Sequence, residues 1–117
     1  MQDIEHELKE HEKSLFSVAQ KYRALARDAA TKRVIYDVAW ANAMESITAT
    51  ALESGEKVTD KVKEAKATVI VQLEMSECRM AEADLDAAKK YIDVMQAMLS
   101  SVQTRAKLSQ MEMALAR

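Results

Sequence analysis

Residues 67–75 (ATVIVQLEM) decide the fold, because they carry apolar side chains on two opposite sides of a helix. Two apolar columns run through this stretch. One contains Val62, Val69, Leu73 and Met80, and the other contains Val71, Met75 and Cys78. The columns lie two residues apart, which is about 200° on a helical wheel. A helix that is apolar on both sides is buried on both, so one neighbouring helix does not suffice.

The composition is that of an all-α protein. The 117 residues include one Gly and no Pro, whereas average usage is roughly 7% and 5%. Tight turns depend on these residues, and strand-rich folds need many such turns. Hydrophobic residues make up 49% of the chain and aromatic residues 4%, which is typical of helices rich in Ala, Leu, Met, Glu and Lys.

The strongest turn signal lies near the middle of the chain, at residues 54–59. Gly55 can adopt the left-handed conformation that ends a helix, and Thr59 can cap the next helix through its hydroxyl. We therefore predict one domain over residues 1–117, with helices at about 3–53 and 60–115. The two helices fold back as a long antiparallel, coiled-coil-like hairpin.

Heptad spacing supports the hairpin. In the first helix the seam runs through Ile4, Leu8, His11, Leu15, Val18, Tyr22, Leu25 and Ala29. In the second helix it runs through Ala81, Leu85, Ala88, Ile92, Met95, Leu99, Val102, Ala106, Ser109 and Met113. If the chain reverses near residue 56, residues 4–29 face residues 83–108, where the second seam lies.

The first seam loses its apolar character near residues 30–37, where the next positions are Lys32 and Tyr36. The apolar line then reappears at Trp40, Met44 and Ile47. A phase shift of this kind alters the supercoil locally. It equally fits a break in the first helix, and the alternative architecture is then a three-helix bundle.

The two-sided apolar band near the turn predicts an interface with another chain. Its predicted residues are Trp40, Met44, Val69, Ile70, Val71, Met75 and Cys78. A homodimer that forms a four-helix layer would cover them. A third helix of the same chain, or a different host or phage protein, would also do so.

The sequence offers no catalytic, cofactor or metal site. In EHELKEHE (residues 5–12) the two histidines, His6 and His11, are five residues apart. The zinc-protease motif requires a spacing of four. Cys78 lacks a nearby base, since both histidines lie close to the N-terminus. We therefore predict a protein that is not an enzyme and needs no cofactor.

The charge balance disfavours general nucleic-acid binding. The net charge is −2, whereas proteins that grip phosphates present strongly basic surfaces. One local cluster of cations keeps a weak nucleic-acid contact open as an alternative. It contains Lys21, Arg23, Arg27, Lys32 and Arg33.

Location is predicted from what the sequence does not contain. No apolar run approaches the roughly 18 residues of a membrane span, and the acidic N-terminus is unlike a secretory signal. The single cysteine cannot form an internal disulfide. These features predict a soluble cytoplasmic protein without membrane contact.

Several segments together resemble small phage-encoded helical accessory proteins of recombination and early-gene clusters. These segments are residues 21–26 (KYRALA), 36–37 (YD), 58–65 (VTDKVKEA), 87–90 (AAKK) and 100–105 (SSVQTR). The resemblance implies a phage accessory context and no catalytic residues. We therefore predict a non-enzymatic protein that acts through protein–protein contacts around DNA metabolism, in the cytoplasm of the host cell. The alternatives are an anti-defence inhibitor, such as an anti-CRISPR protein that docks on a nuclease complex, and a weak nucleic-acid-binding module.

Overall fold

The predicted all-α helical hairpin is confirmed. The computed structural model describes residues 2–116, and these residues form three helices and no strand. Helix α1 is Gln2–Ser54, α2 is Asp60–Ile70 and α3 is Gln72–Ala116. Within each of two compact units, a stretch of α1 packs against a stretch of the α2–α3 segment.

The chain reverses at the predicted turn. Helix α1 ends at Ser54, and Gly55 follows with a φ of +70°, a conformation that side chains with a Cβ rarely adopt. Thr59 is the N-cap of α2, and its hydroxyl accepts a hydrogen bond of 3.3 Å from the Val62 amide. The carboxylate of Asp60 lies in the first turn, where the helix dipole favours negative charge.

Helix α1 is unbroken through residues 30–37, so the three-helix bundle formed by a break there is not found. Lys32 and Tyr36 are half-buried and continue the seam. Their long side chains cover apolar surface while their polar ends reach the edge of the helix pair. Ala39 and Trp40 are both half-buried, so the seam changes phase there without interrupting the helix.

The interruption occurs instead in the second helix, at Val71 within the ATVIVQLEM stretch. Val71 has φ −100° and ψ 18°, outside the helical range. Thr68 donates its hydroxyl to the Glu64 carbonyl at 2.8 Å, a bond that often bends helices. The following β-branched residues crowd the preceding turn. The predicted single helix over 60–115 is therefore divided into α2 and α3.

The helical register nevertheless continues across this interruption. The Val71 amide donates to the Ala67 carbonyl at 3.0 Å, and the Met75 amide donates to the Val71 carbonyl at 2.9 Å. Both bonds have the spacing of an α-helix. Side chains of α2 and the start of α3 therefore remain on common faces.

The described residues pack as two compact units, each with its own buried residues. In the unit Leu25–Asp84, the core contains Ala43, Ile47, Ala67 and Val71, with Tyr36, Ala39, Trp40 and Met44 packed against it. In the unit formed by residues 2–24 and 85–116, Met95 and Val102 are buried. There Arg105 pairs with Glu7 at 2.9 Å, which agrees with the predicted facing of residues 4–29 and 83–108.

We expect Val71→Ala to lower the free energy of unfolding by about 1–3 kcal/mol, because it leaves a cavity in a closed core. Val71 is 1% exposed. Val34→Ala is the matched control, since Val34 is a helical valine that is 62% exposed. Urea unfolding followed by circular dichroism measures both. Equal losses for the two variants would contradict the assigned core.

We expect Thr59→Ala to lower the free energy of unfolding by about 1 kcal/mol, because the Val62 amide loses its acceptor. Thr59→Ser retains a hydroxyl at the cap and should stay within about 0.5 kcal/mol of the native chain. Thermal unfolding of the three proteins tests this. A Ser variant as unstable as the Ala variant would show that the hydroxyl does not act as the cap.

Candidate interaction surface

The structure buries one of the two apolar columns near the turn and leaves the other exposed. Val71 and Cys78 are 1% and 3% exposed, and Met75 is half-buried. These residues lie in the inner seam of the hairpin, which faces α1. The sequence analysis predicted all three as interface residues, whereas in the structure Val71 and Cys78 are already covered by their own chain.

Trp40 and Met44 also belong to the inner side. Both are half-buried and pack against the core cluster that contains Val71. Tyr36 and Trp40 are tilted by 37° with their ring centroids 6.3 Å apart, a favourable spacing for an aromatic pair. The aromatic residues of this region therefore stabilise the hairpin, and little of their surface is available to another chain.

The other column forms the exposed face. Val69 and Ile70, both predicted interface residues, are 73% and 60% exposed. Leu73, at 67%, and Met80, at 65%, extend the same face. Counting heptad positions along α2 and α3 gives a repeat with alternating steps of four and three, which we call the outer stripe. In the unit Leu25–Asp84, the outer stripe contains Val62, Lys66, Val69, Leu73, Ser76, Met80 and Ala83.

A shallow open groove follows the outer stripe. Its lining combines apolar side chains with the polar ends of Gln72, Ser76 and Arg79. Leu73, Met80 and Val62 were not among the predicted interface residues. If the α3 seam is counted back from Ala81 through Cys78 to Val71, Val71 and Cys78 belong to the inner seam. The column of Val62, Leu73 and Met80 then lies on the outside.

A polar cluster closes the inner seam beside Cys78. The Cys78 thiol donates to Glu82 Oε1 at 3.4 Å, and Arg33 Nη1 donates to the same oxygen at 3.4 Å. Arg33 Nε also lies 3.6 Å from Asp37 Oδ1, and its guanidinium carbon lies 5.6 Å from the centre of the Tyr36 ring. This cluster fixes the guanidinium over the edge of the core.

The cluster also sets the acid–base behaviour of its members. Burial raises the pKa of the Cys78 thiol, and its hydrogen bond to Glu82 raises it further. Hydrogen bonding with Cys78, followed by the charges of Asp37 and Glu82, raises the pKa of Arg33. Thiolate is the reactive form of cysteine. Cys78 is thus a packed thiol with suppressed reactivity.

Two of the five predicted nucleic-acid contacts are neutralised within the chain. Lys32 Nζ lies 3.6 Å from Glu77 Oε2, and Arg33 pairs with Asp37 and Glu82. Lys21, Arg23 and Arg27 are exposed. A cation that already has a carboxylate neighbour releases fewer counterions on binding phosphate. The structure therefore weakens the basic cluster as a nucleic-acid surface.

The histidine-containing N-terminal segment lies in the other unit. His11 is half-buried, as expected for a seam position, whereas His6 is exposed. Glu7 of this segment pairs with Arg105. Within residues 2–116, no group of three or more His, Cys, Asp or Glu side chains is placed to hold a metal ion.

Comparison with known proteins adds no assignment: no protein-family model, curated protein or solved structure matches the chain. Among the helices of the described residues, none is long and apolar enough to cross a membrane. The outer stripe is therefore the feature of the molecule on which a functional argument rests.

We expect Cys78 to react with a disulfide reagent only at higher pH than the unfolded chain does, because its pKa is raised in the fold. The raised pKa also contributes to the free energy of unfolding. This contribution is present below the ordinary thiol pKa and is lost as pH rises through the pKa of Cys78 in the folded protein. Glu82→Gln should lower the reaction midpoint partway, since burial remains. Rates measured against pH with and without denaturant provide the test. A native midpoint at or below the unfolded one would contradict it.

Proposed function

We propose that the protein is a non-enzymatic interaction protein that binds another protein chain through the outer stripe. The observation that carries this proposal is the exposed apolar surface on the far side of α2 and α3. Val69, Leu73 and Met80 are each at least 65% exposed on adjoining turns of one face. A contiguous apolar patch with polar borders is typical of a protein-binding surface.

The distribution of large side chains supports the same conclusion. In the described part of the chain, 17 large hydrophobic residues are exposed, whereas nine hydrophobic residues are buried, four of them alanine. Scattered exposed apolar residues are ordinary. Here, however, eight of the 17 lie at heptad positions of the outer stripe, and each one that a partner covers contributes about 1.5–3 kcal/mol.

The biological setting proposed is that of a phage accessory protein acting around DNA metabolism in the host cytoplasm. The resemblance of the KYRALA and VTDKVKEA segments supports it. The partner is then a phage or host protein, or a second copy of the chain. The ion pairs of Lys32 and Arg33 favour protein contacts over direct nucleic-acid binding.

Site-specific photo-crosslinking in cells tests this function. A benzophenone amino acid at position 73 should crosslink to protein, because Leu73 lies in the outer stripe. The same substitution at position 16 is the matched control, since Phe16 on α1 is also 67% exposed. We expect at least fivefold more crosslinked protein from position 73, measured by immunoblot and mass spectrometry. Equal yields, or no product at position 73, would overturn the proposed function.

A nuclease complex among the captured proteins would point to the anti-defence role. Recombination or replication proteins would point to the accessory role. For the nucleic-acid alternative, electrophoretic shifts at two salt concentrations give a direct answer, because phosphate contacts weaken as salt rises. We expect the electrophoretic mobility of the nucleic acid to be the same with the native chain and with a variant in which the charges of Arg23 and Arg27 are reversed.

A further inference from the structure

The outer stripe has the form of a second coiled-coil seam. In the unit Leu25–Asp84, its exposed members include Val62, Val69, Leu73, Ser76, Met80 and Ala83. In the other unit, taken by itself, the same heptad register of α3 contains the exposed residues Val94, Leu108, Met111 and Leu115, with Ala97, Ser101 and Thr104 between the first two. In each unit, exposed apolar residues at heptad spacing are a signal for another helix.

Between residues 73 and 83, large and small side chains alternate along the stripe, whereas Val62 and Val69 share the heptad position of Ser76. Leu73 and Met80 occupy one position, and Ser76 and Ala83 occupy the other. When two identical stripes lie side by side and in register, layers of large side chains alternate with layers of small ones. Such alternation lets helices interdigitate as knobs into holes.

The charges that border the stripe identify its occupant. In a parallel pair of helices, consider the residue that directly precedes a seam position of the Leu73 and Met80 type. It faces the residue five places further along in the second copy. Arg79 then faces Asp84 of the second copy, and Lys107 faces Glu112 of the second copy. The remaining edge residues between positions 65 and 112, paired in the same way with the residue five places further along in the second copy, bring no like charges together.

These four charged residues are free to make such contacts. Among the ion pairs within residues 2–116, none uses Arg79, Asp84, Lys107 or Glu112. The charges beside the inner seam, in contrast, pair within the chain, as Arg33 does with Glu82. Charges at the edges of a coiled-coil seam set partner choice and orientation, and these are complementary to the same chain.

We propose that a second copy of the chain occupies the outer stripe, parallel and in register, and so forms a homodimer through α2 and α3. This inference rests on the proposed function and names its partner. An antiparallel pair centred on the middle of α3 would instead set Asp93 against Asp93 and Arg79 against Lys107. Like charges at these border positions oppose that arrangement.

Lys66 and Lys90 place charged side chains at seam positions of the stripe. Lys90 pairs with Asp86 on its own helix at 3.1 Å, which reduces repulsion between the two copies. Lysine side chains also extend their charged ends past an apolar seam into water. A polar residue at a seam position selects one register and one oligomeric state at some cost in stability.

Sedimentation velocity of the native chain and two variants gives the first test. We expect a concentration-dependent dimer, with a dissociation constant raised at least tenfold by Leu73→Glu, because each copy then places a charge in the seam. Phe16→Glu, the control with equal exposure, should leave the dimer intact. Circular dichroism should show unchanged helix content for both variants. A native chain that stays monomeric at all concentrations would overturn the dimer.

Cysteine crosslinking tests the parallel register. In a Cys78→Ala background, Ser76→Cys places one thiol in the stripe, and a parallel pair brings the two copies of this residue together. We expect mild oxidation to give a disulfide dimer in high yield, and Ser17→Cys on α1 to give little. A dimer by sedimentation without this disulfide would overturn the parallel arrangement.

Charge reversal provides a test that does not depend on the Cys78→Ala background. We expect Arg79→Glu to weaken the dimer about two- to tenfold, because it faces Asp84 of the second copy. Adding Asp84→Arg should restore affinity only in the parallel register. No restoration would overturn that register.

The outcomes separate this proposal from the function that it extends. A monomeric native chain whose position 73 still crosslinks to a different protein would overturn the homodimer and leave the interaction function standing. Loss of dimer with Val38→Glu but not with Leu73→Glu would place the contact on α1, and would overturn this proposal. Val38 is 54% exposed on α1.

Discussion

The structure depends on one constraint: α2 and α3 carry apolar side chains on two opposite faces, and α1 covers only one of them. In the unit Leu25–Asp84, small residues line both sides of this contact: Ala29 and Ala43 on α1 and Ala67 and Ala81 on α2 and α3 are all at most 6% exposed. Small side chains let helices approach closely. Bulky residues such as Leu73 and Met80 are consequently left on the far side, where the chain provides no cover for them.

The charges follow the same division. Lys32 and Arg33 border the inner seam and pair with Glu77 and Glu82, so they help to fix how α1 lies against α3. Exposed pairs of this kind contribute little to stability because solvent screens them, and their main effect is on register. Arg79 and Asp84 border the outer stripe and have no such role inside the chain, which is why they bear on the choice of a partner.

The interruption at Val71 occurs where the same constraint is most severe. A run of β-branched residues supplies apolar surface to both faces within one turn, and the helix loses regular geometry there. The two hydrogen bonds that cross Val71 maintain the register. As a result, Val71 seals the inner core while its neighbours Val69 and Ile70 remain outside. This local departure from ideal helix geometry is compatible with apolar seams on both faces.

The sequence by itself determined the helix content, the turn at Gly55 and Thr59, and the antiparallel facing of the two seams, because heptad periodicity and capping residues act locally. It also indicated that residues 67–75 are apolar on two sides. Only the tertiary structure decided which side faces α1. Both columns fit a heptad, and the choice depends on how closely α1 approaches the alanines of the inner seam. That contact buries Val71 and Cys78, leaves Val69, Leu73 and Met80 exposed, and thereby moves the candidate interface to the opposite face of the helix.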